Sequence, residues 1–239
     1  MTSDGAPARA PRRGMDPRLL GYLGAATQLV LAFGLLALVN LVRDTVEPPE
    51  PVDRGLALAL LYALPAAIGG LGAWAARRSL LAAAAMACAI GSVLSMSGVT
   101  LLFLAPALLF AVAAAKPRAT WGAPAAAAAR SNPAVGLGLA IVLAALMVGS
   151  GVSLLALTEA RCWVAEQTSA GIVYRIVPDI GGVSVQSKGE SAGCSSAVLT
   201  PRGAVVAAIL GIGALGLAVM AAIPRRRPPL LEIALLQLH

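Results

Sequence analysis

The sequence predicts an all-α membrane protein: six transmembrane helices, with a small disulfide-stapled extracytoplasmic β-hairpin domain between helices 5 and 6. Three observations lead there. Charged residues make up 12% of the 239-residue chain and apolar ones 59%, with a mean hydropathy of +0.84, whereas a soluble domain carries roughly 25% charged residues. The apolar residues gather in long runs with charges at their ends. One polar island, Thr158 to Gly203, separates the last two runs and holds two of the three cysteines, Cys162 and Cys194.

The formal net charge of +7 would suit a nucleic-acid ligand, but its placement at the ends of apolar runs is what the retention of positive residues on the cytoplasmic side produces. The expected partners are therefore the lipid bilayer and another membrane or extracytoplasmic protein, with no nucleic acid. Aromatics are scarce at 4%, so helices rich in Ala, Leu, Val and Gly must associate through close backbone contact.

Residues 1–18 are rich in Pro, Ala and Arg without apolar periodicity and read as a disordered cytoplasmic tail. Arg12-Arg13 resembles half of a twin-arginine export signal, but the following run is too long for a signal segment and shows no clear cleavage site. Residues 19–157 are assigned to helices 1–5 with short loops. The first span, Leu19 to Val42, has 24 residues, and about 20 cross a hydrocarbon core. Gln28 lies deep within it and is expected to bond a neighbouring helix, contributing roughly 0.6–2 kcal/mol; a substrate contact is the sharper alternative. The connection to Arg54 carries Asp44, Glu47, Glu50 and Asp53 among three prolines and reads as an extended acidic loop.

The second span, Gly55 to Ala76, holds a kinking Pro65 and the cluster Gly69-Gly70-x-Gly72, which admits close approach of another backbone. The stretch 79–115 is the main ambiguity. As one helix its 37 residues would extend about 55 Å, nearly twice the hydrocarbon thickness. Breaking it at Ser95-Met96-Ser97-Gly98 gives two spans and leaves twelve Lys/Arg inside and six outside, against ten and eight for a single span. Two spans is the expectation, with Cys88 a small buried apolar residue and Trp121, just beyond, an interfacial anchor.

Pro133 opens the fifth span, which runs to about Leu157, and residues 203–223 form the sixth. Gly136, Ala140 and Ala144 recur every four residues on one face, and Gly203, Ala207 and Gly211 do the same. These are candidate helix-packing residues, and fifth-to-sixth pairing follows because the two spans bracket one stapled unit. Residues 224–239 read as a cytoplasmic tail. Both termini are then cytoplasmic, in the cell (plasma) membrane.

Residues 158–202 fall outside on this topology, where disulfides persist. Joining Cys162 to Cys194 would close a loop of about 33 residues, which stabilises by roughly 3–4 kcal/mol on chain-entropy grounds. Ile172, Tyr174 and Ile176 alternate with Val173, Arg175 and Val177, and Pro178-Asp179 and Gly181-Gly182 supply a turn before Val183-Ser184-Val185-Gln186-Ser187. A β-hairpin of those two stretches is expected. Trp163, Tyr174 and Arg175 are the candidate partner-binding residues.

No catalytic residue, cofactor or metal is expected. The one histidine is His239, and no Asp or Glu lies in any predicted span. Histidine-ligated metals in the membrane, an intramembrane Ser-His dyad and a carboxylate proton relay are all disfavoured. The reading is a non-enzymatic accessory, assembly or sensing subunit whose outer domain binds a partner. The alternative is a small permease, or a transporter's membrane subunit, for a hydrophobic solute. Six spans with a large loop between the last two resemble the membrane domains of some ABC exporters in architecture. Those domains carry a substantial cytoplasmic coupling loop, where this chain has essentially Arg77-Arg78.

Overall fold

The computed structural model describes residues 15–42, 50–94, 100–117, 121, 132–169, 171–177 and 190–223. The tails assigned to residues 1–14 and 224–239, the acidic residues 43–49, the break at 95–98 and the turn and second hairpin arm at 178–187 lie outside them.

Helix α1 (Pro17–Val42) begins where Asp16 accepts the Arg18 amide at 2.8 Å, with Pro17 at the first helical position, where a missing N–H costs nothing. Helix α2 (Arg54–Trp74) is capped by Asp53, whose carboxylate accepts the Leu56 amide at 2.7 Å. It ends in a Schellman turn: the Arg77 amide reaches the Gly72 carbonyl at 2.8 Å and the Ala76 amide reaches Ala73 at 3.4 Å. Ala76 occupies the left-handed position with φ 52°. Helix α3 (Arg78–Leu94) leaves directly from that turn. A 3-10 turn (Thr100–Phe103) leads into α4 (Leu104–Ala115). Helices α5 (Pro133–Ala156) and α6 (Pro201–Ala222) both start with a capping residue, Asn132 and Thr200, followed by proline. Strands β1 (Thr158–Thr168), β2 (Gly171–Val177) and β3 (Glu190–Leu199) lie between α5 and α6.

Four helices, α1, α2, α5 and α6, are long and apolar enough to cross a membrane. These are four of the six expected; the other two expected spans fall on shorter apolar helices, α3 with 17 residues and α4 with 12. At 1.5 Å per residue α3 spans only about 25 Å. The stretch 79–115 is nevertheless not one long helix. The Arg78 side chain, at the start of α3, donates to the Ala114 carbonyl at the end of α4, 2.5 Å away. That bond brings the two ends to one level, so α3 and α4 pack as an antiparallel pair.

Helix α3 is the hub of the bundle. One side joins Leu20, Phe110 and Ala113 of α1 and α4 through Leu81, Ala84 and Cys88. The other joins Ile68, Leu143, Met147 and Ala214 of α2, α5 and α6 through Leu80, Ala83 and Ala87. Its alanines allow both approaches. Leu80, Leu81, Ala83 and Ala84 of α3 are all fully buried between these neighbours. The outward faces of the longer helices are apolar, with Val30, Leu60, Ile209 and Ile212 all more than 60% exposed. Continuous apolar exposure of this kind suits hydrocarbon and not water.

Glycine shapes two contacts. The Phe110 ring is fully buried against Gly24 and Gly69, where a Cβ on either residue would overlap it. A Cβ on Gly72 would stand 2.9 Å from Leu80 Cβ and 3.0 Å from the Leu81 amide. The Gly69-Gly70-x-Gly72 cluster thus admits a ring at Gly69 and the backbone of the next helix at Gly72.

Candidate functional site: a stapled sheet and a polar pin

The three strands form an antiparallel sheet in the order β2-β1-β3. β1 and β2 pair in register from Cys162–Val177 to Thr168–Gly171. β3 pairs with the other edge of β1, placing Cys162 directly opposite Cys194. The two cysteines form a disulfide with Cα atoms 4.0 Å apart. A register shift between Glu159 and Arg161 sets two residues of β3, Ser196 and Ala197, against one of β1, Ala160, a bulge that bends the sheet near its helical base.

The second arm of the expected hairpin, 183–187, lies outside the described residues. The stretch 171–177 is a strand, as expected, and among the described residues it pairs with β1. β1 was illegible as a strand because Trp163, Val164 and Ala165 are consecutive and all buried. A central strand covered on both faces loses the period-2 signal. β3, Glu-Ser-Ala-Gly-Cys-Ser-Ser-Ala-Val-Leu, is poor in strand-favouring residues and is held instead by the disulfide and by Trp163. That indole lies across Gly193, where a Cβ would come within 2.7 Å of Trp163 Cζ2.

Pairing fixes which side chains share a face. Trp163, opposite Ile176, and Tyr174, opposite Ala165, lie on one face with Ile172. The two rings meet edge to face with centroids 6.1 Å apart. Ile172 and Ile176 beside them are 48% and 45% exposed. Arg175 is on the other face with the disulfide, its guanidinium 3.9 Å from Glu166. Both side chains are well exposed, so that pair contributes little. The structure therefore joins two of the three candidate partner-binding residues and separates the third.

The sheet is fastened to the bundle at Thr200. Its hydroxyl donates to the Leu157 carbonyl at 2.6 Å, closing the end of α5, and accepts the Gly203 amide at 3.1 Å, opening α6. One turn further in, the Ser150 hydroxyl donates to the Ala207 carbonyl at 2.8 Å. A Cβ on Gly203 would lie 3.1 Å from Leu157 Cβ. Of the candidate packing residues, Gly203, Ala207 and Gly211 thus lie along the Ser150–Leu157 end of α5. Ala140 is buried in one cluster with Ala214 and Ala218, and Ala144 is buried too. A Cβ on Gly136 would meet nothing within 4 Å. Antiparallel packing explains the split, because Gly136 and Gly203 sit at opposite ends of the pair.

Inside the bundle one polar residue pins three helices. Gln28 of α1 is fully buried. Its Nε2 donates to the Tyr62 carbonyl of α2 at 2.7 Å, and its Oε1 accepts from the Cys88 thiol of α3 at 3.5 Å. The Tyr62 carbonyl lies within the turn that precedes Pro65, which has no N–H to give the carbonyl four residues back and so loosens the helix there. Beside this pin a cavity of about 80 Å³ runs between α2, α3 and α5, lined by Gln28, Tyr62, Cys88, Gly91, Met147 and Gly151 among others. Trp121, expected as an interfacial anchor, is 3% exposed and belongs to the buried cluster that includes Ala113.

Comparison of the chain with protein-family models, with characterised proteins and with solved structures finds no match to any of them. Function rests on the chain's own geometry. Among the described residues no group of His, Cys, Asp and Glu is placed to hold a metal ion. Two features offer chemistry: the aromatic-aliphatic face of the sheet and the amide-floored cavity. The sequence pointed to Trp163, Tyr174 and Gln28 by residue type, but not to Ile172 and Ile176 as their exposed neighbours, since exposure depends on which strand β2 joins.

Proposed function

We propose that this chain is a non-enzymatic integral membrane protein, an accessory or assembly subunit whose sheet docks an extracytoplasmic segment of a partner membrane protein. In this reading α3 and α4 complete six crossings of the cell membrane, both termini are cytoplasmic, and the sheet stands outside. The Arg78–Ala114 bond is compatible with a paired crossing, because it holds the start of α3 and the end of α4 together.

The observation that carries the docking role is the exposed pair Ile172 and Ile176 beside the Trp163–Tyr174 rings on a covalently stapled sheet. Aromatic anchors surrounded by aliphatic side chains concentrate binding energy, and a rigid support reduces the entropy lost on association. A partner segment bearing apolar side chains matches this face. Co-purification from native membranes in mild detergent tests it. A defined partner should be retained by the wild type and by Arg175→Gln, on the opposite face, and lost from Ile172→Lys/Ile176→Lys. A protein that purifies alone, or a partner retained by the double variant, sinks the proposal.

A further inference from the structure

The cavity beside Gln28 is graded in depth and chemistry. Its floor is formed by Gln28, Cys88 and Met147, each less than 5% exposed, while Leu94, Val152 and Leu155 at the mouth are about half exposed, at 57%, 48% and 56%. The pocket is therefore open on the bundle surface and closed within. Among the described residues no charged side chain lines it, so an ion there would lose its hydration without recompense.

The floor is more specific than a greasy slot. A primary amide offers two N–H donors and two acceptor lone pairs. Among the described residues Gln28 uses one donor on Tyr62 and one lone pair on the weak thiol donor of Cys88. One donor and one acceptor are left at the base of an apolar cavity. A plain acyl chain would bury both without partners, which is costly. A hydroxyl, itself one donor and one acceptor, answers both. The sulfurs of Cys88 and Met147 and the neighbouring Tyr62 favour an aromatic ring above that hydroxyl, because polarisable sulfur contacts ring edges well. At about 80 Å³ the volume is below the ~150 Å³ of a sealed cavity that holds benzene, so the ring enters edge-on with its remainder at the open mouth.

We propose that this pocket is a binding site for a small, neutral, membrane-soluble phenol, its hydroxyl seated on Gln28 and its ring between α2, α3 and α5. The site stands independently of whether the sheet docks a partner.

The test uses the full chain in phosphatidylcholine nanodiscs, with 4-ethylphenol and ethylbenzene as probes at equal membrane concentration, and reads saturable binding of each probe beyond its partition into empty nanodiscs. In the wild type 4-ethylphenol should bind roughly fivefold more tightly than ethylbenzene, the worth of one net hydrogen bond. Gln28→Leu should make the two probes equivalent. Should that variant misfold, Gly91→Leu carries the test. A Cβ there meets nothing within 4 Å, so the added side chain can fill the cavity, and it should abolish saturable binding of either probe. Equal affinities in the wild type would mean that any apolar chain, or a water on Gln28, occupies the space, and would overturn the proposal. Binding that survives Gly91→Leu, or no binding beyond partition in the wild type, would overturn it equally.

Discussion

Single glycines in this bundle carry opposite signs, and their surroundings decide which. Gly69 presses against the Phe110 ring, so a Cβ there overlaps an aromatic side chain that is itself fully buried between helices. Gly34, on α1, has open space around its would-be Cβ. Gly69→Ala should therefore destabilise the protein by about 1–3 kcal/mol through overpacking. Gly34→Ala should stabilise it by about 0.5–1 kcal/mol by removing helix-interior glycine. Thermal unfolding in detergent, with both variants beside the wild type, checks the contrast; a loss of similar size from both would show that Phe110 does not occupy the slot. Gln28 illustrates what residue-level reading could reach. A buried amide in an apolar helix must find a partner, so a bond to another helix was legible. Which partner was not, because the Tyr62 carbonyl meets Gln28 only through the way α1 and α2 pack.

At the scale of elements, legibility followed how each element meets its solvent. The four long helices present apolar side chains outward along their length, and the sequence located each within a few residues. α3 is wrapped by its neighbours and α4 is short, so hydropathy alone overstated their reach. The sheet was partly hidden for the same kind of reason: β1 buries consecutive residues on both faces, and β3 is built from Ser, Gly and Ala. Such strands need an external constraint. The Cys162–Cys194 bond supplies it at the one row where β3 has little else to offer, and its cysteines face each other because the strands are in register there. Cys162→Ser/Cys194→Ser should remove roughly 3–4 kcal/mol from the sheet while the helices stay folded. Proteolysis of the double variant would then cut within 158–199 and leave the helical core intact. Equal resistance of wild type and variant would show that the sheet holds without its staple.

For the whole molecule the quantity that decides its topology is the number of crossings. Charge placement and the Arg78–Ala114 bond are the same whether α3 and α4 cross as a pair or re-enter from one side, and each helix is shorter than the hydrocarbon core. A helix of about 25 Å can be accommodated by local thinning of the bilayer or by protein neighbours at its ends. Cysteine labelling in a Cys88→Ala background decides it. Ser97→Cys should react with a membrane-impermeant maleimide from outside in intact cells, and Lys116→Cys only after permeabilisation. After mild reduction, Cys162 and Cys194 should also react from outside. Ser97→Cys that stays unreactive from outside while the native pair reacts would reduce the crossings to four, with α3 and α4 re-entering from the cytoplasmic side.

The attachment of the sheet has a mechanical consequence. β1 grows out of α5 after a single residue, and β3 enters α6 through Thr200, which holds both helix ends at once. A few residues above, the two strands are joined covalently. α5 and α6 are thus the legs of one rigid fork, tied at two heights, and neither leg can tilt alone without breaking a tie. Load applied to the far end of the sheet must pass into both legs as a common rotation. Because Met147, Gly151 and Leu155 of the α5 leg also form one wall of the Gln28 cavity, the fork acts as a lever whose short arm ends in that wall.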